Sequence, residues 1–319
     1  MREKTLNLLG LMRRANALVG NDPGEAVLEM MLLGVTAKFR TACVIAMTGA
    51  DMTPKINGFA VENGAAIRVA AGDTLELAGY QPDGSISLFH DPIPLPDYRK
   101  MAADAGLEIT SSHARAPQRT FTQENKGEVL DFWKRVAEHH ASLGITYLVQ
   151  AAVPAVRSVE DVQLVAELMN ETGRIVKDAG MRFTFHNEPN VAMRVVPGGT
   201  ETLFSLGRYP REARQIYDIL LEETDPSLVF FELDGFAAVL GGNDPLVYLR
   251  KYPERIILMH VKDREALGDS GMINHEIIFR QFHANGMEDF FVEDENVRSG
   301  RQFERVAESA RYLQEADFV

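Results

Sequence analysis

Cysteine is nearly absent from this chain: Cys43 is the only one in 319 residues. One sulfur excludes an intrachain disulfide and any zinc site built from several thiolates, and it agrees with a reducing, cytoplasmic setting. Long apolar runs are missing as well. No stretch approaches the ~20 apolar residues of a membrane span, and residues 1–11 carry charges followed by few apolar side chains, so neither a targeting segment nor a membrane partner is expected. Positive charge is in deficit, with 33 Lys and Arg against 46 Asp and Glu, a net charge of −13 and no basic cluster. Phosphate backbones and anionic membranes are recognised through such clusters, so nucleic acid is excluded as a partner and a small polar substrate is favoured.

What the chain does contain is a hydrophobic fraction of 45%, enough for one large or two smaller packed domains. Four short apolar runs in the C-terminal half, residues 183–186, 229–234, 256–260 and 290–293, have the β-branched and aromatic character of buried strands. Each finishes on a residue able to hold a divalent metal: His186, Asp234, His260 and Glu293. These follow one another at intervals of 48, 26 and 33 residues, about one strand-plus-helix unit. Parallel strands whose carboxyl ends converge on one site have this pattern, and in a (β/α)₈ barrel that end of the strands carries the chemistry.

The character of the chain changes near residue 75. Residues 35–77 read as short extended pieces broken by Gly, Asn and Asp, a β-rich and hairpin-like text. Beyond them helix-period segments alternate with apolar runs, residues 128–142 before 145–150 and 159–177 before 181–185, which implies parallel strands covered by helices. His139 and His140 fall in a helical pattern and are expected to face solvent. The pairs Gly198-Gly199 and Gly241-Gly242 lack the strand–loop–helix context of a nucleotide loop and read as turns.

Two resemblances cover different parts of the chain. The segments Leu75-Glu76-Leu77-Ala78-Gly79-Tyr80, Ala105 to His113, His186-Asn187, Glu232-Leu233-Asp234 with Gly242-Asn243-Asp244-Pro245, His260-Val261-Lys262-Asp263 and Val292-Glu293 stand in one order over residues 74–319. Through them the chain resembles the sugar phosphate isomerase/epimerase family of xylose-isomerase-like TIM barrels. Residues 1–75 are similar to a fragment of the biotin-dependent carboxyltransferase and 5-oxoprolinase family, carried by Ala15 to Asn21, Leu28-Glu29, Thr48-Gly49-Ala50-Asp51 and Ala71 to Leu75. That fragment is too short to transfer an activity. The expected architecture is therefore α/β: a β-rich segment over residues 1–75, then a (β/α)₈ TIM barrel over residues 76–319 that lacks its first βα unit. Either the N-terminal piece substitutes for that unit or the wall has a gap, onto which a second copy of the chain could dock.

The barrel resemblance implies a metal-dependent sugar isomerase or epimerase that moves protons through an enediol. His186, Asp234, His260 and Glu293 would hold manganese, zinc, magnesium or cobalt. Glu293 is the expected base, Glu188 the second proton carrier, and Lys262 the stabiliser of enediolate charge. His113, Glu76 and Asn187 are expected to meet a sugar or keto-sugar substrate. Glu232 reads as a buried carboxylate paired to Arg or Lys, and Glu76 equally as a mouth residue or a salt-bridge partner. A lyase or hydratase on 3-keto-glycosides uses the same proton abstraction. A non-catalytic barrel-derived scaffold is the alternative outside enzymes: His186-Asn187-Glu188-Pro189-Asn190-Val191 loses the family's second His and later Glu. Gly235-Phe236-Ala237-Ala238 likewise replaces its aromatic pair.

Overall fold

The computed structural model describes residues 33–36, 40–43, 73–86, 92–104, 107–203, 209–293 and 302–319. Most of the carboxyltransferase-like pieces, residues 15–21, 28–29, 48–51 and 71–72, lie outside the described residues, as do the extended runs expected at 44–47 and 66–69. The chain divides into two compact units, one made of residues up to Ser112 together with Met259–Val319, the other of His113–Leu258.

In the His113–Leu258 unit, strand Tyr147–Gln150 pairs parallel with Arg182–His186, which pairs parallel with Val229–Asp234. The register sets Gln150 against Phe185 and Glu232 against His186, so the carboxyl ends of these strands lie level. Helices supply the crossovers. In helix Val159–Asp178 the buried residues Val159, Val162, Val165, Ala166, Met169, Thr172, Gly173 and Val176 recur at the helical period and form one apolar stripe. Ser158 caps its start by accepting a hydrogen bond from the Asp161 amide. Gly173 belongs to the stripe because a Cβ there would stand 2.5 Å from the Leu228 carbonyl oxygen. The apolar layer is aromatic: Trp133 meets Phe183 edge-on at 5.4 Å between centroids, and Tyr217 meets Phe231 at 5.6 Å. Arg255, 9% exposed, ties this layer to its helices by donating to the carbonyls of Leu221 and Val229 and to Thr224 Oγ1, with its guanidinium over the Phe231 ring.

In the other unit, strand Ile256–Lys262 pairs parallel with Phe290–Glu293, placing Lys262 opposite Glu293. Strand Asp73–Leu77 pairs parallel with Leu107–Ala114, with a register shift between Leu75 and Glu76 that sets Glu76 against Ser111. The hairpin Leu33–Thr36/Arg40–Cys43 joins both pairs, since Leu33 lies antiparallel to Val292 and Ala42 parallel to Thr74. The N-terminal segment thus supplies two strands next to the position of the missing first βα unit. Downstream, Asp263 accepts hydrogen bonds from the Arg264 and Gly268 amides and from Ser270 Oγ, organising the turn after Lys262. Burial opposes its charge, but these bonds and His275 outweigh that and lower its pKa to about 2.

One expectation is corrected. His140 does not face solvent: it is fully buried on helix Lys126–Ala141 with Val129, Phe132, Trp133 and Val136, and its Nδ1–H donates to the Val136 carbonyl at 2.7 Å. Gly198 and Gly242 adopt positive φ, as turns require.

Burial depresses the pKa of His140 from 6.5 to about 4 despite that hydrogen bond. The unfolded chain therefore takes up this proton first, so the contribution is complete above pH 6.5 and is lost as pH falls towards 4, by roughly 3 kcal/mol in total. Urea denaturation of the parent should show falling stability between pH 7 and 4.5, and His140→Gln should flatten that slope. An unchanged slope would assign the acid sensitivity to other groups.

Candidate functional site

Polar side chains gather at the strand ends of each unit. In the Met259–Val319 portion and its partner strands, the imidazole of His260 stands between two carboxylates: Nε2 is 2.5 Å from Glu76 Oε1 and Nδ1 is 2.9 Å from Glu293 Oε2. Ser111 Oγ donates to the second oxygen of Glu76 at 2.6 Å, and Lys262 Nζ is 3.4 Å from Glu293 Oε2. All of these side chains are at least nine-tenths buried. Their formal charges cancel when His260 is protonated, which is how two buried carboxylates are tolerated without water.

In the His113–Leu258 unit, His186 directs Nδ1 to the Ala151 carbonyl at 3.3 Å and Nε2 towards Asp234 Oδ2 at 3.7 Å. Asp234 uses its other oxygen to cap helix Gly235–Leu240, accepting from the Ala237 amide at 2.7 Å. Asn187 clamps the Asp234 backbone, its Nδ2 donating to the Asp234 carbonyl at 3.0 Å and its Oδ1 accepting from the Asp234 amide at 2.9 Å. Both polar atoms of Asn187 are thereby engaged. Expected to meet substrate, it instead holds the end of a neighbouring strand. Glu232, 0% exposed, does not pair with Arg or Lys: its Oε2 faces His113 Nε2 at 2.9 Å, and the His113 ring lies 5.1 Å from that of His186. Glu188 is half-buried and lines a cavity with Gln150 and Arg115. Glu76, expected at the mouth or in a salt bridge, is a buried partner of His260.

The donor set suits a divalent metal in both units. With Nε2–H of His260 donating to Glu76, the Nδ1 lone pair lies beside Glu293 Oε2, at the ~3.0–3.5 Å spacing of two ligands each ~2.1 Å from one ion. With Nδ1–H of His186 donating to Ala151, its Nε2 lone pair turns to the Asp234 oxygen not used in capping. A metal-bound histidine ordinarily donates its outer N–H to a carboxylate or carbonyl in this way, which fixes tautomer and ring orientation. Sequence reasoning did not find the Glu232–His113 pair or the arginines of the Glu188 cavity. Two arginines within six residues after a strand-end histidine, Arg115 and Arg119, were the available signal.

The family model for xylose isomerase-like TIM barrels matches residues 67–316, and a model for the carboxyltransferase domain, subdomains A and B, matches residues 10–89. Both span residues 67–89. Two solved structures described as sugar phosphate isomerase/epimerase from Parabacteroides distasonis are similar to this chain. One is 39% identical with a TM-score of 0.71, covering 77% of this chain and 84% of that one. The other is 38% identical with a TM-score of 0.69, covering 77% and 88%. An inosose dehydratase of Clostridium tetani is 32% identical over 98 residues, 31% of this chain. The chain spans only 27% of the length of that relative.

Removing the Asn187 side chain leaves the Asp234 amide and carbonyl without partners in a buried setting. Asn187→Ala should lower stability by about 1–3 kcal/mol, read as a lower urea midpoint at pH 7. A midpoint equal to the parent's would mean that the clamp is not needed to hold the strand end.

Proposed function

The chain belongs to the xylose isomerase-like TIM barrel family, and we propose that it is a metal-dependent enzyme that moves a proton beside the carbonyl of a sugar or keto-sugar. Its metal would be held by His186, Asp234, His260 and Glu293. The observation that carries this reading is the orientation of the two histidines. Each turns one nitrogen to a hydrogen-bond acceptor and the other towards a strand-end carboxylate oxygen. A divalent ion bound there supplies Lewis acidity, polarising a carbonyl and hydroxyl so that the adjacent C–H becomes acidic. Manganese, zinc, magnesium and cobalt all suit nitrogen and carboxylate donors.

The chain's own residues do the rest. Glu293 takes the proton from carbon, and the electron pair of the broken C–H bond shifts to the carbonyl oxygen to give an enediolate. Lys262, held by Glu293, stabilises that negative charge. His113, oriented by buried Glu232, binds a substrate hydroxyl. Glu76 and Asn187 act at one remove, the first by fixing the ring of His260 and the second by holding Asp234. Glu188, in the cavity wall, returns the proton. Return to the neighbouring carbon gives isomerisation, and return to the opposite face gives epimerisation. Protonation of a departing β-hydroxyl gives elimination of water. The inosose dehydratase similarity favours this last outcome as the second reading.

Metal analysis by mass spectrometry on the purified protein tests the proposal. The parent should carry close to one equivalent of divalent metal, and His260→Ala and Glu293→Ala should lose it. With the metal-loaded parent, ketoses and keto-glycosides in deuterated water should take up deuterium at the carbon next to the carbonyl. Glu293→Gln should slow this exchange by about 10²-fold or more. A folded parent that binds none of the four metals would overturn the proposal.

A further inference from the structure

Within the His113–Leu258 unit a cavity of about 750 Å³ is lined by the loops that follow three parallel strands. Arg115, Gln118 and Arg119 come from the loop after Leu107–Ala114, Gln150 from the end of Tyr147–Gln150, and Glu188 and Asn190 from the loop after Arg182–His186. The proton-transfer chemistry uses only Glu188 among them.

Three observations point to a ligand. First, neither Arg115 nor Arg119 has a carboxylate within ion-pair distance among the described residues, whereas Arg157, Arg214, Arg280 and Arg305 each have one. In a chain of net charge −13, two guanidinium groups left to one cavity are an exception. Second, the loop that carries them is pinned. The Ala151 amide donates to the Ala114 carbonyl at 3.1 Å and the Ala155 amide to the Arg119 carbonyl at 2.9 Å. Asn125 closes the far end by accepting from the Thr122 amide and donating to the Thr120 carbonyl, both at 2.9 Å. Pro117 and Pro154, also in the lining, fix their own φ. The arginines are thus presented from a settled backbone, which reduces the ordering cost of binding. Third, Gln118 Oε1 is buried without a hydrogen-bond donor, while its Nε2 faces Glu128 at 3.4 Å. A buried acceptor of this kind calls for a donor such as a hydroxyl.

We propose that this cavity is the subsite for an anionic group of the substrate, a phosphate or a carboxylate carried on a polyhydroxylated carbon chain. The planar forks of Arg115 and Arg119 suit the oxygens of either anion, and Gln118 Oε1 accepts from a hydroxyl beside it. Glu188 shares the cavity and repels negative charge, so the anion lies at the arginines and the reacting carbons lie towards Glu188. The inference rests on the proposed function only for the sugar character of the ligand, because the anion site is defined by residues that are not metal ligands.

Titration calorimetry with inorganic phosphate, D-gluconate and D-glucose tests it on the parent and on Arg115→Ala, Arg119→Ala and the double variant, each checked for an unchanged thermal midpoint. The parent should bind phosphate or gluconate more tightly than glucose, and the preferred anion identifies the source of the charge. Each alanine substitution should weaken that anion about tenfold, lysine at either position should restore part of the loss, and added salt should weaken binding. His260→Ala should bind the anion as the parent does, so a failed metal site and a failed anion site are told apart. Anion binding no tighter than glucose, or unchanged in the double variant, would overturn the proposal.

Discussion

Charge removed from water must be answered by charge or by hydrogen bonds, and the strand ends of this protein are arranged around that constraint. His260 stands between Glu76 and Glu293, Ser111 donates to Glu76, and Lys262 approaches Glu293. Removing one member alone would leave a carboxylate buried without compensation, which is costlier than exchanging the whole group for apolar side chains. A fold selected only for stability has little use for such a cluster. Its presence is intelligible if one of the cations can be exchanged for another, a proton on imidazole giving way to a metal ion.

The same logic separates residues that touch a ligand from those that hold them. Glu232 is wholly inaccessible and serves through His113, while Asn187 serves through the backbone of Asp234. Such supporting residues set the position of reacting groups to within fractions of an ångström, and their replacement affects geometry before it affects charge. The aromatic layer below, with Phe183, Phe185 and Phe231 at 0% exposure, gives these groups a stiff floor.

Much of this was legible in the sequence, for particular reasons. Buried parallel strands are short and uniformly apolar, so a polar residue closing such a run marks its carboxyl end, and His186, Asp234, His260 and Glu293 were found in that way. The burial of His140 was available too: it follows Val136 by four residues and Trp133 by seven, on the stripe that the helix turns inward. There the polarity of the side chain was weighed above its position. Pairings across long separations were out of reach, because nothing in one sequence says that Glu232 will meet a histidine 119 positions away rather than an arginine. The placement of the N-terminal strands was equally hidden, since hairpin patterning gives the pairing within a hairpin and not its neighbours in a sheet.

The register shift opposite Glu76 has a consequence for how this chain tolerates insertion and deletion. Thr110 is the extra residue: Leu75 pairs with Ile109, but Glu76 pairs with Ser111. Side chains alternate between the two faces of a strand, so one added residue exchanges the inward and outward sets from that point on. The hydroxyl of Ser111 reaches Glu76 because parity changes at Thr110. Deleting Thr110 would regularise the ladder of backbone hydrogen bonds and yet turn every later side chain of the strand to the opposite face. The irregularity is a phase marker, and the chemistry downstream is written in the phase it sets.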